Sequence, residues 1–479
     1  MRLSDRLLAA SAMVLTLVAT PAFAQDAATI ARAEVIRDAA LNQNIALDYV
    51  TQLTTRFGAR PAGSKSEQYA AAWAAGYMRA QGFQNVRIEP FPLVGWERGE
   101  ESGSIVGDHA QRLVLAALGH SPGTNGVIQA EVVQFDSLEA LNAAPAGSLA
   151  GKIAYVDAGQ MVRMQDGSGY GPLTRIRGAG PAAAAAKGAV AFIMRSVGSD
   201  EHRMPHTGTT RYVNGVVPLP GFALAAPDAD TVSRLIGMGE TVRIRLSSTA
   251  HTYATVSQNV IGDIVGGARP NEIIVLGSHM DSWDLGTGAI DDGAGGAITL
   301  AAAKAIAASG RRPARTVRVV LYGAEEVDQP TDTGNGGGAY LRGIGTAVEQ
   351  HIIAGESDFG ADRVYALGLP PGAQTSNFAK AAARVLYPIG VLASAEPELH
   401  GGADIAPLAE AGVPVFGLSQ DGTRYFDLHH TADDTLDKID AEQMSQNVAA
   451  WAALVWLIAD SDVDFRAMRS AAAGAQGGH

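Results

Sequence analysis

From residue 271 onward the chain alternates short apolar runs with helical stretches, and this alternation restricts the fold more than any other feature. Strands are expected at Glu272–Gly277, Thr316–Tyr322, Ile352–Ala354, Val364–Leu367 and Val413–Gly417. Helices are expected at Ala294–Ala308, Gly338–Arg342, Ser376–Leu386 and Ala441–Ile458. Parallel strands need a crossover between them, and the crossover helices pack on the sheet. The expected class is therefore α/β, with a mixed, mainly parallel sheet sandwiched by helices. Ligand sites in such sheets form just beyond the carboxyl ends of the strands.

The N-terminal part reads differently. Arg2 and Arg6 precede an apolar run, Leu7–Val18, and Ala22-Phe23-Ala24 is a small-x-small cleavage motif. Residues 1–24 are expected to be a secretory signal peptide, with cleavage near Ala24 and a mature chain that is secreted or periplasmic. The run is shorter than the ~20 residues a membrane span needs. No later segment is long and apolar enough, Val448–Ile458 included, so no span is expected in the mature chain. Ala27–Leu53 suits one or two amphipathic helices, and Ser64 with Glu67 forms a capping-box pattern ahead of a helix over Glu67–Gln81. A strand is expected at Asn85–Phe91. Between residues 123 and 248 the pattern becomes β-rich, with strand-like runs at Val127–Val133, Lys152–Val156, Ala189–Met194 and Thr241–Leu246 and a short helix at Pro181–Lys187. This predicts a module at 123–248 inserted into one domain made of residues 25–122 and 249–479.

The formal net charge is -13 and no cluster of Lys and Arg stands out, which argues against nucleic-acid binding. There is no cysteine, so thiol catalysis and Cys-ligated metal are excluded. Any metal must be held by His and carboxylate. The stretch Asn271–Gly296 supplies both. A buried strand ends in His279-x-Asp281, and a glycine-rich loop then closes on Asp291-Asp292 before a helix that Asp292 suits as a cap. Three other strand ends add Glu325-Glu326, Asp358 and His429-His430. Imidazole and carboxylate together suit divalent ions. Two such ions ~3.5–4 Å apart polarise a carbonyl and lower the pKa of a shared water. Adjacent glutamates can divide the work, one as ligand and its neighbour as base. Asp281 is placed to hydrogen-bond the second nitrogen of His279 and set its tautomer. At this point the doublet leaves His429 and His430 as alternatives.

Five stretches then carry a resemblance: RFGARPAGS (Arg56–Ser64), GSHMDSWDLGTGAIDDGAGG (Gly277–Gly296), AEE (Ala324–Glu326), ESD (Glu356–Asp358) and HHTADDT (His429–Thr435). In this order they resemble the M28 family of co-catalytic zinc exopeptidases, in its carboxypeptidase Q branch. Gly151–Asp157, Ala183–Val197 and Pro205–Tyr212 resemble the protease-associated insert of that branch. The resemblance implies two Zn2+ ions. His279, Asp291 and Asp358 would hold one, and Asp291, Glu326 and His430 the other, with Asp291 bridging. Glu325 would be the general base and later the acid for the leaving amine. Asp281 would orient His279, and Asp291-Asp292 would be a cis peptide. It further implies a peptide or dipeptide substrate and a homodimer. The family contains both carboxypeptidase- or dipeptidase-like members and aminopeptidases with the same ligands, so the terminus that is read stays open. Two other readings share the scaffold: a non-peptidase dizinc amidohydrolase and an inactive binding homologue, the latter opposed by the complete ligand set. Two features depart from the family pattern: the His doublet, and a long loop at Val327–Gly338. Among residues given no ligand or base role, His206 is expected to be structural, Trp283 to pack under the site loop, and His400 and Asp404 to lie in an ordinary loop.

Overall fold

The computed structural model describes residues 26–212, 215–327 and 334–476. The expected signal peptide lies outside them, as does half of the long loop expected at Val327–Gly338, residues 328–333.

The central sheet has five strands in the order Gln84–Glu97, His251–Ile264, Arg315–Tyr322, Arg269–His279, His351–Glu356. The first two pairings are antiparallel and the last two parallel. The sheet is thus mixed, and its parallel half carries the strand ends at His279, before Glu325-Glu326 and before Asp358, whereas His429-His430 follow a short helix, Tyr425–Leu428, and not a strand. Its outer edge continues through two hydrogen bonds to the next segment, from Ala354 N to Pro414 O (3.0 Å) and from Phe416 N to Ala354 O (2.9 Å). The strand expected at Val413–Gly417 is this short contact. The regular strand comes later, at Gly417–Gln420, in a separate three-stranded sheet.

Helices cover the sheet as expected. The helix Ala441–Ala459 is buried continuously from Gln446 to Ala459. It is apolar all round because it packs against the helices Ala27–Asn42 and Ala294–Ala307 rather than lying at the surface. Asp440 caps it, accepting from Glu442 N (2.9 Å) and Gln443 N (3.0 Å). Trp451 and Trp456 are fully buried within it, and truncating either would cost ~3–5 kcal/mol. The helix Ala294–Ala307 begins Ala-Gly-Gly-Ala because the site presses on its start. A Cβ at Gly295 would collide with the Ser357 carbonyl and the Asp292 carboxylate.

The capping pattern at Ser64 holds in part. Ser64 Oγ accepts from Glu67 N at 3.2 Å, but the Glu67 carboxylate reaches one residue further back, to Gly63 N at 2.6 Å. Its other oxygen accepts from Ser257 Oγ, tying the helix Lys65–Ala80 to the sheet.

A second sheet has eight strands, in the order 111–113, 101–106, 243–248, 128–135, 153–156, 191–195, 221–224, 115–117. Three of them precede residue 123, so the sheet begins about 20 residues earlier than expected. Glu101–Val106 pairs with Arg243–Ser248, and Leu115–Ala117 with Gly221–Leu224. Both partners lie more than 100 positions away, which is why their membership is invisible locally. The expected short helix at Pro181–Lys187 is the end of a longer one, Tyr170–Ala186, with Pro181 inside it. A loop of this module, Pro205–Thr210, is buried against the strand ends of the central sheet, where Thr207 N donates to His430 O at 3.0 Å.

Candidate metal centre and active site

The central strand Arg269–His279 delivers His279 at its carboxyl end, 2% exposed. The ring Nδ1 lies 3.0 Å from the main-chain carbonyl of Asp281. A ring nitrogen against a carbonyl must be the protonated one, so Nε2 carries the lone pair. Nε2 faces Asp291 Oδ1 at 3.2 Å and Asp358 Oδ1 at 3.3 Å. On the other side, His430 Nδ1 faces the Thr207 carbonyl at 3.3 Å, which leaves its Nε2 as the acceptor. That Nε2 faces Glu326 Oε2 at 2.8 Å and Asp291 Oδ2 at 3.1 Å. Asp291 therefore stands between two half-sites, one oxygen toward each. Asp291 and Asp292 are joined by a cis peptide, as the resemblance implied.

Lone pair facing lone pair is repulsive unless a cation lies between. Asp291 Oδ2 and Glu326 Oε1 are buried without a hydrogen-bond donor. Ligand atoms of His279, Asp291 and Glu326 lie within 4.8 Å of one another, as do those of His279, Asp292 and Asp358. Electrostatics agree. Burial, reinforced by Asp358, holds the carboxyl pKa values of Glu325 and Asp292 well above their usual range. Burial and Asp291 do the same to Glu326. Burial disfavours a proton on His279, but the Asp358, Asp281 and Asp291 carboxylates outweigh it and raise that pKa well above the ordinary value. So dense a set of acids and lone pairs calls for positive charge, and its donor types fit divalent metal.

Asp281 sits differently from its expected role. It orients His279 through its main-chain oxygen, while its carboxylate is 3.6 Å from the ring. The carboxylate accepts instead from Glu325 N (3.1 Å) and Glu326 N (3.2 Å), fixing the backbone of the glutamate pair. Ala324 just before the pair (φ 58°) and His430 itself (φ 60°) have left-handed backbone. For non-glycine residues this costs ~1–3 kcal/mol each and persists only where the surroundings impose it.

The structure brings together all the site residues named from the sequence, and adds several. Arg60 is fully buried and donates to four carbonyls of the site loop and its approach: Met280 (2.8 Å), Gly58 (2.9 Å), Thr287 (2.7 Å) and Gly288 (2.8 Å). Asp434 accepts from Ile290 N (2.6 Å) and Asp291 N (3.3 Å), and burial pushes its pKa to about 7. Both residues fall inside matched motifs, which was the available signal. Asp292 caps the following helix through Gly295 N at 3.0 Å and holds His279 N at 3.1 Å.

His429 lies beside the same bridging carboxylate, Asp291. Its ring stacks on His430 at 3.5 Å, and its Nε2 lies 3.2 Å from Asp291 Oδ2. Its Nδ1 meets His206 Nε2 at 3.1 Å, and His206 Nδ1 faces the Thr207 carbonyl at 2.9 Å. His206 thus belongs to the wall of the site, not only to its own module. His430 differs from His429 in reaching Glu326 as well. Trp283 packs against His430 (5.7 Å between rings) and Trp96 (6.1 Å). Asp404 is fully buried rather than in an open loop; its N donates to Glu356 Oε2 at 3.0 Å. A cavity of about 320 Å3 opens onto the cluster, lined by Asp291, Glu325, Glu326 and Asp358 on one side and Tyr170 and Arg177 on the other.

The profile of peptidase family M28 matches residues 259–455, which contain every residue of the cluster. Carboxypeptidase Q of Mus musculus is 33% identical over 431 residues, covering 88% of this chain and 87% of that protein. The chain belongs to peptidase family M28. Carboxypeptidase Q of Homo sapiens is likewise 33% identical, over 88% of this chain and 86% of its own length. A solved structure, the Peptidase M28 precursor from Shewanella amazonensis SB2B, superposes with a TM-score of 0.87 at 42% identity, covering 91% of this chain and 98% of that one. BSAP, a zinc aminopeptidase from Bacillus subtilis, shares the fold (TM-score 0.61, 19% identity, 88% of this chain and 96% of that one). This M28 protein is a metallopeptidase, as expected, and acts on peptides. Among its described residues no helix is long and apolar enough to cross a membrane.

Proposed function

We propose that this M28 peptidase is an exported two-zinc exopeptidase that hydrolyses dipeptides or short peptides, in the manner of a carboxypeptidase or dipeptidase. The observation that carries the reading is Asp291, with one oxygen 3.2 Å from His279 Nε2 and the other 3.1 Å from His430 Nε2. His279, Asp291 and Asp358 would hold one ion, and Asp291, Glu326 and His430 the other. Zinc held there would supply Lewis acidity toward the scissile carbonyl and would lower the pKa of the attacking water.

The chain's own residues do the rest. Glu325 lines the cavity beside the ligands and takes the proton of the attacking water. It later passes that proton to the leaving amine. Asp281 keeps this carboxyl in place by holding the Glu325 and Glu326 amides. Thr207 sets the tautomer of His430, so the module carrying it helps to build the centre. The sequence resemblance of Gly151–Asp157, Ala183–Val197 and Pro205–Tyr212 to a protease-associated insert is in keeping with that role. Export rests on the signal peptide expected at residues 1–24, and a homodimer on the sequence resemblance to the carboxypeptidase Q branch.

An aminopeptidase reading has one observation in its favour. A second cavity, of about 360 Å3, meets the first at Asp358 and Phe359 and is acidic, lined by Glu356, Asp358 and Glu398. Such a wall suits a substrate amine. Zinc-loaded protein offered free dipeptides, N-blocked dipeptides and aminoacyl-anilides separates the readings. Cleavage of N-blocked dipeptides but not anilides rejects the aminopeptidase. If none is cleaved, and Glu325→Gln behaves as wild type, the exopeptidase reading fails.

A further inference from the structure

Five arginines of the described chain are buried: Arg37, Arg60, Arg98, Arg177 and Arg315. A guanidinium cannot shed its charge, so a buried one needs partners. Arg37 pairs with Asp38, Arg98 with Asp284, and Arg315 with Glu272. Arg60 has its four carbonyls. Arg177 is the exception. It is 7% exposed, on the helix Tyr170–Ala186, and its Nη1 donates to Tyr170 Oη (2.9 Å) and the Thr207 carbonyl (3.0 Å). Its Nε is buried without a partner, and no carboxylate pairs with it among the described residues.

Its position gives the missing partner a place. Arg177 lines the cavity that opens onto Glu325 and the metal ligands. The Thr207 carbonyl it holds is the one that faces His430 Nδ1, so the guanidinium is one carbonyl away from the centre. The Tyr170 ring lies 5.6 Å from the guanidinium carbon. Gly208, with φ +142°, lies against the guanidinium, where a Cβ would collide with it. The packing therefore holds a planar cation in the wall of a cavity that carries four acids, Asp291, Glu325, Glu326 and Asp358, and a second arginine, Arg211.

We propose that Arg177 receives the C-terminal carboxylate of the peptide, which places the scissile bond close to that terminus. The inference rests on the peptidase reading and sharpens it, since a carboxylate matches the guanidinium fork where an amine does not. An acidic side chain near the end of a peptide offers the same chemistry, so the test separates the two sources.

Zinc-loaded wild type and the variants Arg177→Gln and Arg177→Lys are assayed on alanyl-leucine, alanyl-leucinamide and alanyl-glutamic acid α-amide. Wild type is expected to prefer the free acid over the leucinamide by about 100-fold in kcat/KM, mostly through KM. In Arg177→Gln that ratio collapses to a few-fold, and Arg177→Lys recovers part of it. Calorimetric binding of leucine against leucinamide reads the same contact without turnover, and leucine should lose its advantage in Arg177→Gln. Equal use of acid and amide by wild type, or an equal loss on all substrates in Arg177→Gln, overturns the proposal. If the glutamic acid α-amide matches the free acid, a side-chain carboxylate is the ligand and the terminal assignment falls. If no substrate is cleaved while leucine still binds through Arg177, the peptidase reading fails and the carboxylate contact stands.

Discussion

Replacing Arg60 with Met removes the four-carbonyl clamp while nearly preserving side-chain volume. The four bonds, 2.7–2.9 Å long, end on Met280, Gly58, Thr287 and Gly288. The bonds to Met280 and Gly288 are buried, whereas those to Gly58 and Thr287 are part-buried, where water can replace the lost donor. A buried acceptor left without a donor costs ~1–3 kcal/mol, so the two buried carbonyls set the scale at about 2–6 kcal/mol in all. Unfolding entropy near the melting point is about 2.1 cal/mol/K per residue. For 479 residues unfolding together, that makes about 1 kcal/mol per degree, and Tm should fall by about 2–6 °C. Arg60 also faces Asp434, Asp281 and Asp292, so its loss exposes the acids around the centre to one another. Zinc affinity should weaken about tenfold. Scanning calorimetry with chelator and with saturating zinc, followed by zinc titration, measures both. A Tm within 1 °C of wild type together with unchanged zinc affinity would refute the reasoning.

Three further outcomes are expected. Glu325→Gln should lower kcat by ~10²–10⁴-fold with zinc content unchanged in a metal analysis; loss of zinc would instead make Glu325 a ligand. Asp434→Asn should weaken zinc binding ~10–100-fold in a chelator competition, because it loosens the backbone of Ile290 and Asp291; unchanged affinity would deny it that role. His351 is fully buried, faces the Ala347 carbonyl (2.9 Å) and Tyr340 Oη (2.7 Å), and burial lowers its pKa to about 4. The unfolded chain takes up this proton near pH 6.5 and the folded chain only near 4, so the stability His351 contributes at neutral pH is lost as pH falls through that window. The loss is about 3 kcal/mol. Denaturant melts should show a shallower acid slope for His351→Gln, and an identical slope would contradict the assignment.

The parts of the molecule that repeat on a short period were legible. Strand–helix alternation located the parallel half of the sheet, and acids or His at strand ends located His279, Glu325, Glu326 and Asp358, whereas His430 follows the helix Tyr425–Leu428 rather than a strand. The illegible parts depend on backbone groups or on distant pairing. Arg60 binds carbonyls, which every residue has. Asp281 was expected to point at the His279 ring; the turn after the strand instead offers its main-chain oxygen there and aims its carboxylate at two amides. Glu101–Val106 pairs with a strand over 130 residues later, so nothing nearby marked it as part of the second sheet. The helix bearing Arg177 was hidden by its glycines and Pro181, which locally read as breakers. The His429-His430 doublet is separated only by what each ring faces, Glu326 in one case and His206 in the other.

The central claim is that Asp291 joins two metal half-sites. Calorimetric titration of metal-free protein with zinc, checked by elemental analysis of the product, tests it most directly. Two ions per chain are expected for wild type, and no more than one tightly bound ion for Asp291→Ala. A wild-type stoichiometry of one, or an Asp291→Ala variant that still binds two with unchanged affinity, would contradict the account.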